Sequence, residues 1–281
     1  MPEDGPGALR IGTRKAIQGV LCQAGFPLIA AFAACAGGAC PVLAQSAGPS
    51  PAILSAGSPA FAACARDAAD AVPLVAETRA WTFEGADGAH YFAADLRPFP
   101  EAAGRRPTLS DPMTGAGRLL ALPAAEPNRW GLVPAWIVRQ ERDVSGLFQA
   151  DLLERGEALF APGVAVGDCA DILRAAESTA RQAGSGHWSG DAGTVLFSSW
   201  EPETFSGQDG HYVIARGRVV SLGKTARTRY LNFGRYWKTD LTVTFRSSEE
   251  GAFNTALARD GHTVDALVGQ RVEVRGVLQE R

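Results

Sequence analysis

The apolar residues of this chain come in short runs cut apart by glycine and proline, and one stretch alone sustains a long helical period. It opens at Asp168, carries Ile172, Leu173, Ala176 and Ala180 on one side, and stops at Gly184. A shorter helix is expected after Ser145, with Leu147, Phe148, Leu152 and Leu153 on one face and Gly156 at its end. The remaining ordered sequence is strand-like: VPLV, RAWTF, the run after the Asp87-Gly88 turn, GRLLAL and LVPAWIVRQ. Residues 97–117, with Pro98, Pro100, Pro107 and Pro112 among glycines, are expected to be an irregular loop. Such a chain must bury its runs in sheets, which predicts a β-rich α+β fold. At 281 residues and 46% hydrophobic content it can fill one large core or two small ones.

The N-terminus has a different character. Arg10, Arg14 and Lys15 precede a charge-free stretch that reaches to Arg66 and contains AGFPLIAAFAAC followed by PVLAQS. This is a secretory signal pattern, and Val42 and Ala44 as the two small recognition positions predict cleavage after Ala44. AFAAC ending at Cys35 offers a lipoprotein-like alternative, and a transmembrane anchor is a third, opposed by the breaks at Pro27, Gly37 and Gly38. A periplasmic or secreted protein with no membrane span after signal removal is the expectation. Export leaves Cys64 and Cys169 as an even pair in an oxidising compartment, which predicts a disulfide between them, against the alternative of two buried thiols.

Composition shifts divide the rest. Residues 1–44 are the signal, and 45–62, rich in Ala, Gly, Ser and Pro, a linker. A first domain spans 63–190, a second linker 191–210, and a second domain 211–281. In the second, HYVIARGRVV, RTRYLNFG and DLTVTF are followed by a helix candidate at GAFNTALARDG and a closing strand QRVEVRGVL. Five-stranded oligonucleotide-binding (OB) barrels are built this way, with a helix between the third and fourth strands. A fifth strand is not evident before the sequence ends at Arg281.

Several segments carry a resemblance. SGLFQADLLERGEALFAPG and CADILRAAESTARQAGSGHW resemble the second half of the staphylococcal-nuclease-like (thermonuclease) domain, with its Leu-Leu-x-x-Gly-x-Ala turn and its Ala-Glu-x-x-Ala-Arg helix ending in Gly-x-Trp. DGAHYFAADL resembles the family's hairpin, NRWGLVPA its Asp-Arg-Tyr-Gly-Arg-x-x-Ala strand, and the sequence from GRVVSLGKTARTRYLNFG onward the second domain that bacterial members append. The resemblance covers about residues 72–281 and implies a nuclease-like OB barrel with packed helices followed by a second OB-like barrel module.

It also implies what the chemistry requires. The family cleaves phosphodiesters with a calcium ion held by carboxylates, a Glu that positions or activates water, and two arginines that meet charge developing on phosphoryl oxygens. Carried over position by position, the first arginine falls on Phe92 and the second on Leu132. The metal-binding Asp of the upstream hairpin meets ETRAW, where Glu77 is the nearest acid, and the acid after the strand meets Arg97. Glu101 is the remnant of the Pro-Glu motif. The resemblance therefore implies a retained scaffold with a degenerate site and no cofactor. The alternative is a calcium-dependent nuclease acting on DNA or RNA, in which Arg97 or Arg129 works from a neighbouring position.

The formal net charge of −3 excludes a global pull toward nucleic acid or anionic membrane, so any such affinity must be local. One local run exists. No acid lies between Tyr212 and Thr239, while Arg216, Arg218, Lys224, Arg227, Arg229, Arg235 and Lys238 stand among Tyr230, Phe233, Tyr236 and Trp237. Aromatics beside phosphate-tracking cations are how OB folds hold single strands, which makes single-stranded nucleic acid or another polyanion the candidate ligand. The competing reading makes Phe233 and alternate aromatics core residues and the cations a solvated rim. His90, His187, His211 and His262 show no metal-ligand spacing, so no zinc is expected, and Trp188 is expected to pack. A protein partner and an envelope role without nucleic acid also fit this composition.

Overall fold

The computed structural model describes residues 16–18, 23–24, 59–65, 71–100, 117–141, 144–189, 195–236 and 239–279. In chain order it begins with two short strands, β1 (Ala16–Gln18) and β2 (Gln23–Ala24), and a helix, α1 (Pro59–Cys64).

A closed barrel follows. β3 (Val72–Arg79), β4 (Thr82–Gly85) and β5 (His90–Ala93) form an antiparallel meander, and β7 (Arg118–Pro123) and β8 (Leu132–Glu141) a hairpin. β3 pairs with β7, and β5 runs parallel to β8, so the order β3-β4-β5-β8-β7 returns on itself. That five-stranded closure leaves no free edge and is consistent with an OB-like barrel. Alternation builds its core: Tyr91 and Ala93 point inward from β5 while His90 is exposed and Phe92 half-buried between them. At the first turn Trp81 takes a left-handed backbone (φ 60°), and the Glu77 carboxylate accepts its N–H at 2.8 Å.

Two helices pack their buried residues into the barrel's core cluster. β9 (Val144–Leu147) leads into α2 (Phe148–Glu154), and β10 (Leu159–Phe160) pairs with β6 (Leu96–Arg97) before α3 (Gly167–Ala183). Ser145 does not cap α2: it lies in β9, and the helix begins at Phe148 after Leu147, with no side-chain cap. The apolar run from Leu147 is shared between a strand end and a helix, which periodicity over so few residues cannot separate. Buried Gln149 pins α2 to β8, donating to Ala135 O at 2.8 Å and accepting from Ile137 N–H at 3.2 Å. Cys64 and Cys169 are disulfide-bonded, tying α1 to α3. Gly184 ends α3 in the left-handed region, and Gly186 (φ 55°) lies so close to the end of α2 that a Cβ there would sit 2.3 Å from Arg155 O.

The rest of the chain forms a second sheet from β11 (Leu196–Ser198), β12 (Tyr212–Arg218), β13 (Ser221–Lys224), β14 (Thr228–Asn232), β15 (Thr242–Arg246) and β16 (Arg271–Gln279), with α4 (Glu250–Ala258) between the last two. Its order is β11-β12-β16-β1-β15-β14-β13. Part of the 191–210 passage is thus structured, for β11 pairs with β12 and Phe205 is fully buried.

The two halves share a core. Phe99, Leu159, Ala180 and Trp188 pack with Val195 and Ile214, and Phe99 meets the Trp188 ring edge-on at 5.0 Å. Beside this contact Arg275 on β16 reaches Glu177 on α3, which is fully buried.

Candidate functional site

The resemblance puts its two arginine positions at Phe92 on β5 and Leu132 on β8. Backbone register decides how the two stand to each other. His90 lies opposite both Glu84 and Leu132, and Phe92 opposite Thr82 and Pro134, so positions 92 and 132 stand diagonally on one face of a parallel pair. Both side chains are half-buried and neither can carry charge. Glu77 is on β3, its carboxylate turned to the Trp81 amide. Glu101 lies outside the described residues.

The neighbouring arginines are held elsewhere. Arg97 is exposed on β6, whose partner is β10. Arg129 is at the tip of the β7–β8 hairpin, its guanidinium 4.2 Å over the ring of Trp130, which is 69% exposed. Asn128 builds that tip by accepting the Trp130 and Leu132 amides. Among the described residues no group of three or more His, Cys, Asp or Glu could hold a metal ion, and no helix is long and apolar enough to cross a membrane.

Asp95, which follows β5, has a structural task. It has a left-handed backbone (φ 61°), and its carboxylate accepts the amides of Gly163, Val164 and Ala165 at 2.9, 2.9 and 2.6 Å. Burial pushes its carboxyl upward and the three amides pull the other way, leaving it raised. Asp87, at the preceding turn, accepts from the Tyr91 hydroxyl at 2.7 Å and the Ala89 amide at 3.0 Å, and both bonds lower its carboxyl; burial, and then the bond to Asp87, lift the Tyr91 phenol to about 12.

The basic run of the second sheet separates into two sets. Arg229 is buried, pairing with Glu250 at 3.1 Å and with Asp265. Lys224 pairs with Glu250 at 2.9 Å, and Arg216 with Glu273 at 2.9 Å. Phe233 is a core residue, and the Tyr230 ring covers Gly223 on the adjacent strand. Arg218, Arg227 and Arg235 are exposed, and among the described residues no carboxylate pairs with them. Tyr236 is 76% exposed. Trp237 and Lys238 lie outside the described residues.

The acids that neutralise this run come from outside it, from α4, Asp265 and β16, so the absence of acids between Tyr212 and Thr239 hides its local charge balance. Glu177 was the one detectable signal of the ion cluster between the halves: it follows Leu173 by four residues, on the apolar face of α3. No family model and no curated protein matches the chain.

Proposed function

We propose that this is an exported, non-catalytic binding or scaffolding protein, built on a thermonuclease-like barrel that has lost the charges phosphodiester cleavage needs. One observation carries the reading: Phe92 and Leu132 share the outer face of β5 and β8, where two fixed cations would have to meet a phosphoryl group. Each lost charge-assisted contact of that kind removes about 3 kcal/mol of transition-state stabilisation. The closed barrel and the packed α2 and α3 support retention of a scaffold without its chemistry.

The second sheet supplies the binding groups in this reading. Arg218, Arg227 and Arg235, with Tyr236, are the side chains that would contact single-stranded nucleic acid or another polyanion, because the other described cations of the run are engaged by carboxylates.

The test is incubation of the purified mature protein with single-stranded DNA and calcium, beside a Phe92→Arg, Leu132→Arg double variant. No calcium-dependent cleavage by the unmodified protein is expected. Robust calcium-dependent cleavage by it would overturn the proposal and favour the nuclease alternative.

A further inference from the structure

In the closed barrel, β8 lies between β5 and β7, parallel to the first and antiparallel to the second. The second sheet repeats this arrangement with a strand from a distant part of the chain. β15 and β16 are separated by β1, which runs parallel to β15 through Ala16↔Thr242 and Ile17↔Val243. The same strand runs antiparallel to β16 through Ala16↔Gln279, Ile17↔Leu278 and Gln18↔Val277. β2 continues along that edge of β16, with Gln23 opposite Glu273 and Ala24 opposite Val272.

The far side of the sheet also bends toward closure. The Val219 amide donates to Gln270 O at 3.0 Å and the Val220 amide to Asn232 O at 2.7 Å, so the β12–β13 strand meets β16 with one half and β14 with the other. One strand width therefore remains between β15 and β16. Unpaired amides and carbonyls along such an edge are costly when buried and form a template for an added strand when open.

We infer that β1 and β2 complete the second sheet, and that the gap between β15 and β16 is a receptor for an extended segment. Main-chain hydrogen bonds supply the affinity of such a slot, and its alternate positions supply selectivity. The register sets position 17 opposite Val243 and Leu278, both fully buried, so the slot calls for an apolar residue there. The occupant is the chain's own N-terminal segment. A cut after Ala44 would turn this tethered strand into a dissociable peptide, removing the effective concentration that holds it in place.

A cross-link tests the register. In full-length, uncut chain with Cys22, Cys35 and Cys40 replaced by serine, an Ala16→Cys, Gln279→Cys pair should oxidise to an intramolecular disulfide at least tenfold faster than an Ala30→Cys, Gln279→Cys pair. Equal rates, or no cross-link in either, would overturn the inference. In the uncut chain Ile17→Pro should speed hydrogen exchange of the amides at 242–243 and 277–279 at least tenfold, with those at 133–138 unchanged. Unaltered exchange at 277–279 would also overturn it, and if Ile17→Pro unfolds the first barrel the cross-link alone decides.

Discussion

Arg275 and Glu177 meet in a two-pronged ion pair, Nη1 to Oε1 at 3.0 Å and Nη2 to Oε2 at 2.6 Å, joining β16 of the second sheet to α3 beside the first barrel. Both side chains are almost wholly buried, and their remaining capacity is used: Arg275 also donates to Phe160 O and to Glu273, and Glu177 also accepts from the Phe160 amide and from Arg181. A buried pair of this kind owes its tolerance to complete hydrogen bonding, so losing one member strands the other charge.

Glu177→Ala is accordingly expected to destabilise the protein by about 3–5 kcal/mol, because Arg275 would stay buried with half its partners. Chemical denaturation of the single variants and of a Glu177→Leu, Arg275→Met double variant checks this. The double variant should lose less than the two singles added together.

Acid should act on the same cluster through Glu273. Burial raises its carboxyl, but Arg275 and Arg181 beside it, with hydrogen bonds from Arg275 and Arg216, outweigh burial and hold it at about 2. A carboxyl lower in the folded than in the unfolded state stabilises the fold above its unfolded value, near 4.5, and loses that contribution as pH falls toward 2. Stability of the wild type should therefore decline across that window by about 3 kcal/mol more than that of Glu273→Gln. Denaturation midpoints measured from pH 5 to 2 give the comparison.

The Cys64–Cys169 bridge spans a sequence separation of 105. Closing a loop of that length restricts the unfolded chain enough to stabilise the fold by about 4–5 kcal/mol on chain-entropy grounds. A Cys64→Ser, Cys169→Ser variant should show a lower denaturation midpoint, and addition of reductant should lower that of the wild type but not that of the variant.

Polyanion binding should depend on the exposed cations alone. With three arginines contacting single-stranded DNA, log affinity is expected to fall against log salt with a slope of about −2. Replacing Arg218, Arg227 and Arg235 by glutamine should flatten that slope, whereas Lys224→Gln, which removes a cation already paired with Glu250, should leave it nearly unchanged. Fluorescence anisotropy with labelled single-stranded DNA across a salt series makes the measurement.

The sequence by itself determined the elements whose signals are local. The turn at Asp87-Gly88, the amphipathic α3 with its stop at Gly184, and most strand runs need only periodicity and turn chemistry, which neighbouring residues specify. The start of α2 was not legible, because the apolar run from Leu147 suits a strand end and a helix alike. Only the tertiary structure decided which cations are engaged, since the acids that meet Arg216, Lys224 and Arg229 arrive from positions 250 to 273. It likewise brought Glu177 to Arg275, nearly a hundred residues apart, and set β1 between β15 and β16. Such pairings depend on strand order and on one body of the fold closing over another, and no local pattern encodes them.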